Sequence, residues 1–481
     1  MRFVASILLT LFASLVIAQT NPGLTFGGQK NDIGYSLCHT PEGGYILAGN
    51  TRSYGSGSND IFLIKLNEHY QNEWTVTYGW EHQDFVRKVI PFNGGYAIIG
   101  NVWGPNSGAY NIYMQLFDNE GVKIKENTYG TSAFDFGFNC IESVSGNFLI
   151  IGYSRGVDDY GGIYLVMTDK NGNEIWNNSY GYDFDDYAMD GLENQDGSFM
   201  IIGSKDGFFD DVHANYKTHD ADIMLIKIDS AGNEIWKKTY GEDGHDFGYS
   251  IEQADDGYYL LGSTQSYGAG NFDIMLTKVD AEGVENWHTT YGGEHFDYGI
   301  SIDKNAEGDL YLLGSTKSFG QENSVDIYLI KTDNVGNEIW DLTIGGILSD
   351  YGQQVVATSD NGCAIIGTTK SYGDGKKDIL FVKINKYGEI DQYLTIVDPN
   401  IKDMVIAPNP MHDNGQLLLQ NNIVDEYTLA ISTLSGAIVK QYKLSTLNTK
   451  FSTSSLLSGI YVYKLTGNNS KQTLVGKLII Y

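Results

Sequence analysis

The sequence predicts an all-β chain, a seven-bladed β-propeller followed by a small second β domain, and three observations point there. An aromatic-glycine pair recurs as Phe26-Gly27, Tyr78-Gly79, Tyr129-Gly130, Tyr180-Gly181, Tyr240-Gly241 and Tyr291-Gly292, at intervals of 52, 51, 51, 60 and 51 residues. A seventh copy, Ile344-Gly345, lies 53 residues further on and keeps only the glycine. Five residues past each of these glycines stands an aspartate: Asp32, Asp84, Asp135, Asp186, Asp246, Asp297 and Asp350. Finally, each repeat divides into four short apolar runs parted by turn residues, as in GYSIEQ, YYLLGST, DIMLTKVD and VENWHTTY. Such runs, cut by Gly, Asn and Asp, are strand and hairpin signals, and no segment keeps a helical period over three turns. Four antiparallel strands per unit of this length are the signature of a propeller blade. One blade cannot bury both of its faces, and seven around an axis can.

Residues 1–18 read as a signal peptide, with Arg2 ahead of an apolar run and small residues at Val16 and Ala18, so that cleavage falls before Gln19. No Cys follows that site, which argues against a lipid-anchored lipoprotein, and no later apolar stretch is long enough to span a bilayer. The propeller is expected over residues 21–396. Its ring is closed either by GEIDQYLTI (388–396) as the last outer strand or by the N-terminal NPGLTFGG (21–28), and the second is favoured because its match to the repeat is otherwise idle. A linker, 397–406, and a second domain, 407–481, follow. Three prolines within 399–410 make that boundary stiff.

Charge and cysteine usage narrow the function classes. The formal net charge is −29, and since the part after Ile396 holds seven Lys against five acids, the acidity belongs to the repeats. Such a field repels phosphate backbones and excludes nucleic-acid binding as the natural role. Cys38, Cys140 and Cys363 occupy unlike places in their repeats, forming neither a disulfide framework nor a metal spacing. They read as buried small hydrophobes, with a Cys38–Cys363 bridge as the minority alternative.

With strands running from the axis outward, the turns crossing between blades and the turns joining second to third strands share one face. The crossing turns carry the seven repeat aspartates. The other turns carry Asp60, Asn111, Asp222, Asp273, Asp326 and Asp378, with Gly162 as the break. A carboxylate repeated so uniformly reads as a turn clamp accepting backbone N–H bonds; the rival reading is a ring that holds Ca²⁺. Particular function is sought where the symmetry breaks. Blade four has an eight-residue insertion within 204–223 that holds Asp210, Asp211, His213, His219 and Asp220. These residue types bind divalent cations, but the spacing fits no tight motif, so a solvated loop is the competing reading. Blade two places Trp80 and Trp103 in its two kinds of turn, a pair suited to sugar rings or a protein hot spot, or to local packing. Trp74, Trp176, Trp236, Trp287 and Trp340 recur at one repeat position and read as blade packing. No G-x-S-x-G, H-E-x-x-H or P-loop occurs, and no residue is nominated as catalytic.

The repeats, with their W-x-x-TYGG, D-x-G and DGGYI-x-x-G-x-T strings, resemble bacterial seven-bladed propeller families related to the SBBP-type repeats, over roughly residues 24–390. The resemblance implies fold and leaves function open. In the tail, APNP (407–410), LSGAIVKQ (434–441), LLSGIYVYKL (456–465) and KLII (477–480) resemble the type A C-terminal sorting domain of type IX secretion cargo, found in Bacteroidetes. That resemblance implies an Ig-like sandwich read by the outer-membrane translocon and delivery by way of the periplasm to the surface or the medium. The expectation is therefore a monomeric, secreted or surface-displayed binding protein that presents one acidic loop face to a glycan or a protein. The alternatives are an extracellular carbohydrate-active hydrolase or lyase on the same scaffold, and a structural surface protein with no small ligand. No cofactor beyond Ca²⁺ is suggested.

Overall fold

The computed structural model describes residues 21–391, apart from 56–57, 80–82, 105–108, 157–160, 182–185, 207–219 and 322–323, together with discontinuous stretches between 404 and 480. The expected signal peptide lies outside the described residues, which contain strands and turns and no helix. Up to residue 391 they form seven four-stranded antiparallel sheets in a propeller-like arrangement. The first sheet is β2 (Asp32–His39), β3 (Tyr45–Thr51), β4 (Asp60–Leu66) and β5 (Asn72–Tyr78), paired in chain order. Five more sheets repeat that order, and their first strands are β6 (Asp84–Phe92), β10 (Asp135–Glu142), β14 (Tyr187–Glu193), β18 (Asp246–Ala254) and β22 (Asp297–Lys304).

Local chemistry cuts the chain into these strands. Every third-to-fourth turn opens with Asp or Asn whose Oδ1 accepts the N–H groups two and four residues on, as Asp229 does from Ala231 (2.9 Å) and Asn233 (2.8 Å). This Asx geometry needs a left-handed residue at its fourth position, and six of the seven turns use glycine there, among them Gly232 (φ +82°) and Gly283 (φ +74°). Second and third strands are mostly apolar and buried on both faces, as in YILAGNT and DIFLIKL, because a neighbouring sheet covers each side. Fourth strands such as EIWKKTY alternate, being covered on one face only. The core is therefore a set of layers between sheets, with Ile46, Ala48, Ile61 and Leu63 of the first sheet meeting Val89, Ile98, Tyr113 and Phe117 of the second.

The seventh sheet has the order β1-β28-β27-β26, from β26 (Asp350–Ala357), β27 (Cys363–Thr369), β28 (Asp378–Ile384) and β1 (Leu24–Phe26). The N-terminal strand is thus the outer strand of the last sheet, with Leu24, Thr25 and Phe26 opposite Phe381, Leu380 and Ile379. Of the rival segment, residues 392–396 lie outside the described residues, and Ile390 makes an isolated bridge to Ile384. The seventh sheet packs on the first through Leu37, Leu47, Phe62 and Ile64 against Ala364, Ile366, Ile379 and Phe381. First strands touch in succession around the molecule, and β26 returns to β2.

At the rim, the tryptophan and tyrosine of each W…TYG string grip the next sheet. Trp74 Nε1 donates to Asn119 O (3.2 Å) and Tyr78 Oη to Gly121 O (2.9 Å), both in the third-to-fourth turn of the second sheet. Tyr129, Tyr240 and Tyr291 do the same to Gly172, Gly283 and Gly336. The turn glycine lies flat on the indole, so a Cβ on Gly283 would come within 2.7 Å of Trp236 Cη2. At the seam the contact is inverted. The short β1 has no tryptophan to offer, and Tyr70 occupies the glycine position with φ +61°, its ring packed among Tyr45, Phe381, Leu24 and Phe26. The cysteines are free and buried, which removes the Cys38–Cys363 bridge, and burial pushes the Cys38 thiol up to about 12.

Two further antiparallel sheets lie in the tail, one of β29 (Met404–Ala407), β30 (Asn414–Leu419) and β33 (Lys450–Ser452). The other has the order β32-β31-β34-β35, from β31 (Tyr427–Thr433), β32 (Ile438–Leu444), β34 (Gly459–Gly467) and β35 (Thr473–Ile480).

The rim contact predicts a pair of unequal substitutions. Gly283→Ala should lower stability by about 2–3 kcal/mol, combining the left-handed backbone with a clash on Trp236. Gly146→Ala, with φ +79° and nothing within 4 Å of the new methyl, should lose only about 1 kcal/mol. Denaturant unfolding of the two variants reads the difference, and equal losses would remove the contact from the argument.

Candidate functional site

Crossing turns and second-to-third turns do share one face, joined by backbone bonds between neighbouring sheets. Asp32 N donates to Lys377 O (2.8 Å), Asp84 N to Asn59 O (3.1 Å), Asp246 N to Ala221 O (2.6 Å), Asp297 N to Phe272 O (2.8 Å) and Asp350 N to Val325 O (2.6 Å). The carboxyl groups turn inward from that face. All seven repeat aspartates, Asp32, Asp84, Asp135, Asp186, Asp246, Asp297 and Asp350, are 0% exposed. Asp297 accepts from Gly293 N (2.8 Å), Ser318 Oγ (2.6 Å) and Thr316 Oγ1. Asp350 accepts from Gly346 N (2.9 Å), Lys370 N (3.0 Å) and Ser371 Oγ (2.7 Å). Asp135 takes Thr131 N (2.6 Å), and Asp186 takes Asp206 N (3.0 Å). Each such bond to a charged acceptor stabilises by roughly 1.5–3 kcal/mol.

A second carboxylate approaches the same turn from the preceding sheet. A Cβ on Gly27 would stand 1.9 Å from Asp378 Oδ1 and 2.8 Å from Asp32 Oδ2, and one on Gly292 would stand 2.0 Å from Asp273 Oδ1 and 2.8 Å from Asp297 Oδ2. The glycine of the repeated dipeptide is therefore a steric requirement, since two carboxyl groups occupy the space of its missing side chain. Burial, with Asp32 and Asp374 nearby, pushes Asp378 up to about 6, and burial raises Asp273 beside Asp297 and Asp326 beside Asp350. Among the described residues no group of three or more His, Cys, Asp or Glu is arranged to hold a metal ion.

Of the residues singled out at the symmetry breaks, Trp80, Asp210, Asp211, His213 and His219 lie outside the described residues. Trp103 is described, and it stands on a strand and not in a turn. The second hairpin is lengthened, with β7 running Gly95–Gly104 and β8 Ala109–Phe117, which carries Trp103 out on this face. Its ring meets Tyr110 edge-on at 5.1 Å and lies 6.3 Å from Phe134, and Tyr110 in turn neighbours Phe85 (6.0 Å) and Phe136 (5.7 Å). A second aromatic run, from His245 through Phe247 and Phe272 to Phe296, has consecutive ring centroids 5.9, 5.7 and 6.2 Å apart. That arc escaped the sequence reading, although the residue after the repeat aspartate is Phe or Tyr in six of seven copies.

A second feature escaped it as well. Every first strand carries a bulge against its second strand just after the aspartate, between Gly34 and Ser36 in the first sheet and between Gly299 and Ser301 in the sixth. The bulge turns the residue four past the aspartate toward its counterparts in the neighbouring sheets, and all seven are polar: Ser36, Lys88, Asn139, Asp190, Ser250, Ser301 and Gln354. Six of them, Lys88 being the exception, form a hydrogen-bonded belt around the centre of the ring. Gln354 Oε1 accepts Ser36 Oγ (2.7 Å) and Leu37 N (3.0 Å), Ser36 Oγ accepts Val89 N (3.1 Å), and Ser301 Oγ accepts Val355 N (3.2 Å). Two residues further along the same strands, toward the opposite face, burial and the neighbouring Asp303 push Glu252 up to about 8, with Lys304 opposing.

The comparisons with known proteins come to the following. The profile described as a secretion system C-terminal sorting domain matches residues 405–481, so the tail is a type IX secretion sorting domain. Engagement of that system follows, and with it export to the cell surface or the extracellular space. The repeats are similar to the regulatory protein FlaEY of Caulobacter vibrioides, 27% identical over 268 residues, which are 51% of this chain and 24% of the relative. This chain thus spans about a quarter of that relative's length. Among solved structures, Sqt1 of Chaetomium thermophilum is 11% identical, with TM-score 0.44, covering 96% of this chain and 99% of its own. The extracellular domain of the hybrid two-component system BT4673 of B. thetaiotaomicron is 12% identical, with TM-score 0.40 over 96% of this chain and 60% of that one. PorZ, a surface component of the type IX system of Porphyromonas gingivalis, is 10% identical, with TM-score 0.30 over 94% of this chain and 74% of that one. These likenesses are too distant to carry a functional argument. No helix among the described residues is long and apolar enough to cross a membrane.

The raised Glu252 sets a pH dependence whose sign follows from linkage. A carboxyl with a folded value near 8 and an unfolded value near 4.5 binds more protons folded than unfolded between those limits, so its effect on stability worsens as pH rises through that window. Glu252→Gln removes the effect. The melting temperature of the variant, relative to the parent, should therefore rise steadily from pH 5 to pH 8.5, and a constant difference would show that Glu252 is ionised normally.

Proposed function

We propose that the chain is a seven-bladed propeller, delivered to the cell surface or the medium by an Ig-like sorting domain, that binds a glycan or a protein ligand on its loop face. The observation that supports this most directly is the lengthened second hairpin. It breaks the repeat to raise Trp103 on the face where the crossing turns lie, and the ring stays partly accessible while Tyr110 and Phe134 hold it from the side. A rigid aromatic anchor with little entropy left to lose is what a carbohydrate ring or a peptide side chain binds well. The second crossing turn with Trp80, and the insertion with Asp210, Asp211, His213 and His219, which lie outside the described residues, belong to the same proposal as further recognition elements. The repeat aspartates are assigned to the scaffold, because all seven are buried and the bonds they accept come from backbone and hydroxyl donors.

A glycan array probed with the purified protein tests the binding reading. Retained glycans should be lost, or held at least about tenfold more weakly, in Trp103→Ala and Trp80→Ala. Silence across the array, together with no partner captured from the producing cell's own surface, would leave only a structural role. Delivery is tested separately. Deleting 407–481 should leave a folded propeller in the periplasm, and its undiminished appearance outside would refute the sorting role.

A further inference from the structure

The belt and the bulged residues beside it place two side chains of each sheet at the centre of the ring. Of these fourteen, only Arg87 and Lys88 are basic, and they are adjacent in the second sheet. Lys88 does nothing for the belt. In five sheets the belt side chain accepts an N–H from the following sheet, as Ser250 Oγ does from Ile302 N (3.4 Å). An ammonium has no lone pair to offer, and opposite Lys88 the N–H of Cys140 turns instead to Asn139 Oδ1 (2.7 Å).

The nearby carboxylates are already committed. Asp190 Oδ1 takes Asn139 Nδ2 (2.6 Å) and Gly191 N (2.8 Å), and its Oδ2 takes Ser250 Oγ (2.7 Å) and Ile251 N (3.1 Å). Asp303 takes Ala357 N (2.7 Å) and Lys304 N (2.8 Å). Among the described residues Lys88 has no ion pair. Arg87 stands over the Tyr35 ring, its Cζ 4.9 Å from the centroid, and its Nε is buried without an acceptor. The cation–π contact anchors the guanidinium at the ring face, and a buried donor left unmatched is the exception in folded proteins.

We infer that Arg87 and Lys88 form an anion-binding site at the centre of the ring that takes a single carboxylate. The planar guanidinium pairs with both carboxylate oxygens or with one through Nε, and the ammonium supplies a second charge. The charge of −29 around it selects the size of the ligand. Polyanions are repelled at a distance, whereas a small monoanion that reaches the centre meets two cations that no carboxylate touches among the described residues, Lys88 acting on Asp190 and Asp303 only from a distance. A free organic anion and an acidic sugar both carry that carboxylate, and the titration below separates the two. This site does not depend on the loop-face reading.

Calorimetric titration of the purified protein at low ionic strength with glucuronate, acetate and glucose tests the assignment. Glucuronate should bind, glucose should not, and Arg87→Gln and Lys88→Met should each weaken glucuronate by about tenfold or more while melting cooperatively. Acetate bound as tightly as glucuronate identifies the bare carboxylate as the ligand, and acetate bound more weakly identifies an acidic sugar. On the parent protein, glucuronate should also protect Arg87 from phenylglyoxal modification, which decides the matter if neither variant folds. Failure of both anions to bind, binding unchanged in both variants, or unprotected Arg87 would overturn the site and leave the two cations as counter-charges to Asp190 and Asp303.

Discussion

The architecture depends on a contact at crossings between sheets such as Gly27, Gly241 and Gly292, where a glycine with no side chain lets two carboxyl groups reach one point. At Gly27 these are Asp378 from the last sheet and Asp32 from the first, both buried. Asp32 collects Gly28 N and Ser53 Oγ, and its own N–H reaches back to Lys377 O, so one residue joins the crossing turn, its own hairpin and the sheet before it. Buried carboxylates are tolerable only when so many donors surround them. The backbone bond from the repeat aspartate to the sheet before it, repeated at Asp84, Asp246, Asp297 and Asp350, sets the distance between those sheets, and with it the layers of Ile, Leu, Val and Tyr that fill the space between them.

Two other contacts act at different radii. At the rim the Trp and Tyr of one sheet close on the glycine turn of the next, and at the centre the polar belt passes hydrogen bonds from one first strand to the next. A sheet is thereby held to its neighbour at three distances from the axis, which resists both sliding and splaying. The seam shows how far this system bends. The three residues of β1 supply an outer strand from the other end of the chain, and Tyr70 takes a backbone conformation that glycine holds elsewhere so that its ring can replace a missing indole.

Against so regular a background the departures stand out, and the second sheet concentrates them. Val86 replaces a repeat glycine, Arg87 and Lys88 follow it, and the long hairpin with Trp103 rises beyond. A scaffold that needs the same contacts seven times leaves few positions free to vary, and variation gathers where one sheet is released from a shared duty. Lys88 is such a case, because the belt is interrupted there and Cys140 N turns to Asn139 Oδ1.

Much of the fold was legible in the sequence by itself, because the devices that make it are local and repeated. Asx turns, left-handed glycines and apolar runs of strand length are set by residues a few positions apart, so the four strands of each repeat, their order and the shared face of the turns could be read directly. The sorting tail was legible for a similar reason, its short motifs keeping their order. Tertiary structure alone decided the rest. That β1 pairs with β28 is a contact between residues more than 350 positions apart. The belt exists only because a one-residue bulge turns a polar side chain toward neighbours some fifty residues away in the chain. Whether Arg87 and Lys88 have partners is likewise a matter of which carboxylates were already taken, and the competition for donors in a folded interior is not written in the spacing of the residues.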